Sequence, residues 1–284
     1  MPASLNAEIA QRLEEVARLL EDQGANPFRV RAYQQAAQTI RHHSSSVRDL
    51  YEREGMEGLR RLPRLGESLA RAVRDLIVTG RLPMLDRLRG ESDPIAVLAS
   101  VPGIGQALAA RLHDELGIDS LEELEMAAHD GRLADIGGIG EKKLAGIIDS
   151  LAGRLGRVRG KGGRDEAAAG EPPVGELLKV DAEYREKAEA GTLRKIAPHR
   201  FNPKREAWLP VMHTQRGDRH YTALFSNTAR AHERARTHDW VILYYDHEGG
   251  ESQCTVITSE RGAMKGRRIV RGREEDCAAH YGTG

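Results

Sequence analysis

Val101-Pro102-Gly103-Ile104-Gly105 decides how the first half of this 284-residue chain is read. The five residues stand between two short apolar segments with helical spacing. Glycines let a chain turn tightly with positive φ and let another backbone come close. A helix that starts just after the last glycine presents unpaired N–H groups and the positive end of its dipole, which favours an anion. Ile136-Gly137-Gly138-Ile139-Gly140 repeats the pattern. Leu62-Pro63-Arg64-Leu65-Gly66 approximates it, with Arg64 where the others carry glycine. The final glycines lie 39 and 35 residues apart, so a recurring unit is the first organisation to test. Three such turns in one helical region point to a phosphate grip made by backbone amides. The plain alternative is a glycine turn joining two core helices.

Outward from these turns the pattern stays helical. Leu5, Ile9, Leu13, Val16, Ala17 and Leu20 fall on one face of a helix over 5–22, with Asn6 as its expected cap. Gln23-Gly24-Ala25-Asn26-Pro27 stops it. A second helix is expected over 28–41, short ones near 47–54 and 56–61, then 67–79 and 82–90, and more of the same to about 152. Residues 156–175, from Gly156-Arg157-Val158-Arg159-Gly160 to Pro172-Pro173, have too little apolar surface to fold alone and are expected to be a linker. Nine of the twelve aromatic residues lie beyond residue 155. Stretches rich in Val, Ile, Thr and Tyr at 207–214, 219–226, 240–246 and 252–258 are expected strands. Helices are expected at 181–190 and, capped by Asn227, at 227–237. The expected architecture is multidomain. An all-α amino-terminal half divides into 1–92 and 93–155, and an α+β domain with an antiparallel sheet occupies 176–284.

Net charge is zero, which argues against a general positive field. Its distribution is uneven. Residues 1–90 hold 15 Arg, no Lys and 12 acids; residues 91–155 hold 5 basic and 12 acidic groups. Any contact with a polyanion must therefore be local. No apolar run approaches the roughly 18 residues of a membrane span. The start lacks a basic stretch followed by an apolar core, and two cysteines do not make a disulfide framework. The expected setting is the cytoplasm, with free thiols.

Residues 4–155 resemble the amino-terminal part of family X DNA polymerases. The stretches that carry the likeness are Asn6-Ala7-Glu8-Ile9-Ala10, Asn26-Pro27-Phe28-Arg29-Val30-Arg31-Ala32-Tyr33, Leu62-Pro63 with Gly66, Thr79-Gly80-Arg81-Leu82-Pro83 and Val101-Pro102-Gly103-Ile104-Gly105. The resemblance implies a small helical domain that binds gapped DNA near a 5′-phosphate, followed by a helix-hairpin-helix module on the adjoining duplex. Three departures matter. No Asp-x-Asp pair in a strand setting follows residue 155, as two-metal phosphoryl transfer would need. There is no His-x-His, which marks the phosphoesterase domain of bacterial relatives. Residues 1–141 contain no lysine, and the family's Schiff-base lysine position falls on Ala72.

The expected DNA contacts are Arg29, Arg31 and Arg64 with Leu65 and Gly66 in the first module. In the second they are Gly103, Ile104 and Gly105, then Gly138, Ile139 and Gly140 with Lys142 and Lys143 just past the turn. Arg29 or Arg31 has bracing of helix packing as its alternative role. Arg64 either reaches a phosphate itself or weakens its hairpin. In the last domain His232, His238 and Asp239, or Cys254, Cys277 and His280, are incomplete zinc sets. Asp239 and Asp246 bracket a strand as a weak nuclease pair. Arg200-Phe201-Asn202-Pro203-Lys204-Arg205 and Lys265-Gly266-Arg267-Arg268 are basic loops near aromatics, suited to single strands or to plain solvent. The expectation is a bacterial, nucleoid-associated DNA-binding protein of repair that senses gaps or ends and works with repair proteins. No catalytic residue, metal or cofactor is expected. A nuclease or lyase seated in 176–284 and a protein-interaction scaffold are the rivals.

Overall fold

The computed structural model describes residues 5–90, 94–133, 136–155, 171–247 and 250–282. Nearly all of the expected linker, 156–170, lies outside the described residues. The all-α amino-terminal half and the α+β carboxyl-terminal part are both observed.

The first helix, α1 (Leu5–Asp22), buries Ile9, Leu13, Val16 and Leu20. Asn6 does not cap it. Its side chain instead donates to Ser45 O (2.8 Å) and accepts from Val47 N (3.0 Å), tying α1 to the turn ahead of a later helix. Asn26 caps α2 (Pro27–His42) by accepting from Phe28 N, with Pro27 in the first turn, where a missing N–H costs nothing. The two short helices expected next are observed within the span α3 (Val47–Arg60), separated at Gly55, where φ is 61° and ψ is −151°. α4 (Glu67–Thr79) and α5 (Pro83–Leu88) complete a core of Ile9, Leu13, Ala36, Val73 and Leu85.

A second core, around Leu98, Ile104, Leu112, Leu124 and Ile147, gathers α6 (Pro94–Ala99), α7 (Gln106–Leu116), α8 (Leu121–His129) and α9 (Glu141–Arg154).

The third begins at α10 (Val174–Glu189), seven residues before the helix expected at 181. Six antiparallel strands follow in chain order, a meander: β1 (Arg194–Ile196), β2 (Leu209–Arg216), β3 (Arg219–Phe225), β4 (Val241–His247), β5 (Gly250–Thr258) and β6 (Arg268–Val270). α11 (Ala229–Glu233) is capped by Thr228, not Asn227, and ends before Ala235, whose φ is 51°. α12 (Glu274–Tyr281) joins α10 on one face of the sheet, over Tyr221, Leu243, Tyr245, Cys254 and Val256. Tyr184 from α10 locks that packing, donating to Pro210 O and accepting from Phe225 N, both at 2.9 Å.

Strand alternation sends the neighbouring residues to the opposite face. There the register aligns His213, Thr222, Tyr244 and Gln253 in one row. The polar face is covered by the helical half. Gln23 meets His213 (3.0 Å), and Asn26 Nδ2 donates to Gln215 (2.5 Å). The Arg87 guanidinium lies 3.8 Å over the Tyr244 ring and pairs with Glu251. From the second core Glu122 accepts from Gln253 Nε2 (3.2 Å) and Thr255 Oγ1 (2.5 Å). Gly90 closes the junction: His199 N donates to its carbonyl at 2.7 Å, and a Cβ there would stand 2.7 Å from Ala197 O.

Candidate nucleic-acid interface

The three glycine turns share one backbone geometry. The third residue of each is left-handed: φ is 65° at Arg64, 87° at Gly103 and 95° at Gly138. The fifth is extended and opens a helix: φ and ψ are −68° and 174° at Gly66, −84° and 170° at Gly105, −83° and 166° at Gly140. No side chain caps any of these helices. Gly66, Gly105 and Gly140 accept the first intrahelical bonds, from Ala70, Ala109 and Leu144, each at 2.9 Å. The amides ahead of those residues open to the surface. Leu65, Ile104 and Ile139 are buried plugs that seat each turn in its core. The Leu65 and Ile104 amides are spent inside the turn, donating to Leu62 O and Val101 O, so in those hairpins the donors on offer begin at the glycine that follows.

The second and third hairpins lie side by side. Arg111, on the helix after the second, donates to Gly137 O at 2.8 Å in the third. Lys143, on the helix after the third, donates to Gly138 O at 3.2 Å, and its stem lies 3.9 Å from where a Cβ on Gly103 would sit. Lys142 is exposed beside them. The first hairpin belongs to the other helical core and is not part of this pair. There Arg64 is exposed, and Thr39 Oγ1 braces the turn through Pro63 O. Glu67, in the first turn of α4, is held by Arg60 and Arg71, and its carboxyl stays below the usual carboxylate range because Arg60 hydrogen-bonds it.

Arg29 does not face an external phosphate. It is 8% exposed, with its guanidinium 3.8 Å from Asp246 of β4 and 3.7 Å from Met84 Sδ, so it takes the bracing role. Arg31 is exposed and stacks 5.0 Å from the ring centroid of Phe28, itself 73% exposed. Burial pushes the Asp246 carboxyl up, against the pull of Arg29. Burial likewise drives Tyr33 and Tyr244 up to about 12.

A cleft of about 590 Å³ runs between α4–α5 and the second hairpin, with β4 and β5 as its floor. Arg71, Arg74 and Arg81 line it together with Asp86, which pairs with Arg81 at 3.1 Å, and Asp149. Ala72, at the position of the family's lysine, is buried in its wall.

The acidic excess of 91–155 has a location. Asp119 is paired by Arg200 (3.1 Å), with His113 at 3.0 Å and the Ala229 amide at 3.0 Å. Glu122 and Glu123 are buried beside it, and burial raises the Glu123 carboxyl. These acids gather at the end of α7 away from its hairpin; at the hairpin end Glu141 stands in the same helical turn as Lys142 and Lys143.

The candidate metal sets of the last domain do not converge. Among the described residues no group of three or more His, Cys, Asp or Glu is placed to hold a metal ion. Cys254 and Cys277 are free and buried; Cys277 Sγ accepts from Val270 N. His232 Nε2 donates to Asn227 Oδ1 (2.6 Å) and its ring packs on Phe201, while His238 packs on Phe225. Asp239 lies in the turn before β4 and Asp246 near the far end of that strand, so the length of β4 separates them. Asp239 binds Thr258 and Arg268, and Asp246 faces Arg29. Sequence reading missed the closing row of this interface, Arg87, Glu122 and Glu251. Their signal was three charged residues inside otherwise regular elements.

The family comparisons agree with this geometry. A helix-hairpin-helix domain family matches residues 4–82, and a SAM-like helix-hairpin-helix tandem matches residues 95–152. A DNA polymerase/3'-5' exonuclease PolX of Bacillus subtilis (strain 168) is 25% identical over 180 residues, 63% of this chain and 29% of that protein. The match therefore spans less than a third of the relative. The amino-terminal region is family X polymerase-like and built from helix-hairpin-helix domains, which points to DNA binding. No described helix is long and apolar enough to cross a membrane.

Proposed function

We propose that this protein binds DNA without reading sequence, gripping the sugar-phosphate backbone of gapped or end-containing DNA in a repair setting, without polymerase activity. One observation carries this: three uncapped helix starts behind the same left-handed turn, two of them adjacent and flanked by Lys142 and Lys143. Amides at such positions hold phosphate oxygens and carry no base information. The single strand of a gap would cross the cleft between the first hairpin and the tandem. Absence of polymerisation is supported by the carboxylates on and around the sheet: Asp181 and Asp239 are engaged by Arg268, Asp246 by Arg29 and Glu251 by Arg87.

Fluorescence anisotropy on single strand, intact duplex, gapped duplex and gapped duplex with a 5′-phosphate, at two salt concentrations, tests the reading. Tightest binding to the phosphorylated gap, weakening with salt as counterions compete, is expected. Equal affinity for every duplex reduces the protein to a general clamp. Primer extension with Mg²⁺ or Mn²⁺ should yield no product, and any extension overturns that part.

A further inference from the structure

The loop after β1 carries a feature that the hairpin grip does not use. Phe201 stands at its crest, 48% exposed, with a φ of 52°, and Arg205 four residues on has a φ of 51°. Bulky residues enter the left-handed region only when their surroundings hold them there. The holders are visible. Buried Asn202 donates to Glu206 O (2.8 Å) and accepts from Glu206 N (3.0 Å), and His199 N is fastened to Gly90. The Phe201 ring rests against His232, centroids 4.4 Å apart, and Asn227 pins that imidazole at 2.6 Å while the Trp208 ring meets it edge-on. Arg200 lies 4.9 Å from the Phe201 centroid.

The charge on the loop up to Arg205 is cationic, with exposed Glu206 and Glu233 as the nearby acids and Arg200 paired to Asp119. Residues 197–205 contain Arg200, Lys204 and Arg205 and no acid, and the Lys204 and Arg205 side chains are exposed. Exposed Arg234 follows the last residue of α11. A protein partner would need a broader apolar patch than one phenyl among cations. A duplex keeps its base faces stacked and gives the ring nothing to cover. An unpaired strand offers both a base face and flanking phosphates.

We propose that Phe201, backed by His232 and flanked by Arg200, Lys204 and Arg205, is a stacking site for an unpaired base of single-stranded DNA. The site is distinct from the hairpins. α7 starts at the second hairpin and ends just before Asp119, the partner of Arg200, so about 16 Å of helix separates the two.

Anisotropy of the full chain with a labelled short oligothymidine and with a blunt duplex tests it. Phe201→Ala should weaken oligothymidine binding about tenfold and leave the duplex within about twofold. Phe201→Trp should restore it. Lys204→Gln with Arg205→Gln should lower the log–log salt slope on oligothymidine by about 1.4. Unchanged oligothymidine affinity in Phe201→Ala overturns the site. So does an equal loss on both DNAs with a lowered melting temperature, which would mark Phe201 as a packing brace. Failure of duplex binding in the parent chain would remove the hairpin grip and leave this site standing or falling on oligothymidine alone.

Discussion

At the hairpin end of α7 the backbone amides behind Gly105 have no cap, and the nearby charged side chains Lys142 and Lys143 are cationic. At its other end, past Gly117, Asp119 is buried between Arg200, His113 and the Ala229 amide, with Glu122 and Glu123 alongside. The first helical core repeats the contrast. Its hairpin leaves Arg64 in solvent, while Arg29 and Arg87 are sealed against Asp246 and Glu251. At one end the helix-start amides lack a side-chain cap, and at the other the charged groups are paired. Of the module with seven more acids than bases over 91–155, the carboxyl-terminal domain takes up two of the acids, Asp119 and Glu122.

The largest expected effect breaks the closed end. Glu251→Ala leaves the Arg87 guanidinium buried and uncompensated, and should cost about 3–4 kcal/mol in urea unfolding. A loss under about 1 kcal/mol would mean that the pair is solvated. Next comes the open end. Gly105→Asp with Gly140→Asp meets no steric obstacle, since nothing lies within 4 Å of either Cβ and neither φ is positive. Aspartate caps a helix well, so the melting temperature should hold or rise. The carboxylates would occupy the amides and repel phosphate, and affinity for duplex should fall about a hundredfold. A double variant that still binds would reduce the hairpins to packing.

Acid separates the two ends without mutation. His213 sits in the closed end between Gln23 and Thr222, and burial beside Arg29 and Arg87 pushes its pKa down to about 3. The unfolded imidazole titrates near 6.5. Stability from keeping it neutral is whole above that value and is lost as pH falls from about 6.5 toward 3. The melting temperature should decline over this window, and His213→Gln should flatten the decline by about 1–2 kcal/mol. An identical acid limb in the variant would assign it to other groups. Lys142→Gln with Lys143→Gln should weaken binding about fivefold and lower the log–log salt slope by about 2. Smallest is Arg64→Gly, which relieves a left-handed side chain and should stabilise by about 0.5–1 kcal/mol. If the arginine reaches a phosphate, affinity drops about threefold in the same variant; unchanged affinity leaves only the weakened hairpin.

The helical half was legible because its signals are local. Apolar spacing gave α1 its observed limits, 5–22, and the glycines marked turns that only a left-handed residue can make. Arg64 obeys the same turn against its preference, which spacing revealed and residue type alone would have missed. The sheet domain was read less fully. β1 and β6 have three residues each, two of them Arg194-Lys195 in the first, too short for a period to show. The helix expected over 227–237 stops at Glu233 because Ala235 turns left-handed, and alanine gives no warning of that. The covered polar face was invisible for a deeper reason. Alternation in Gln253-Cys254-Thr255-Val256 separates two faces but does not say whether the polar one meets water or another domain.

β5 touches both helical modules with alternate residues of a single strand: Glu251 holds the first through Arg87, and Gln253 and Thr255 hold the second through Glu122. Along a strand those attachment points are about 7 and 14 Å apart. The angle between the lone hairpin and the tandem is then set by the pleat of one β-strand. On the proposed function, two grips fixed like the jaws of a caliper would gauge the path of the backbone between them, and DNA that already follows the required bend would be favoured over DNA that must be deformed to fit.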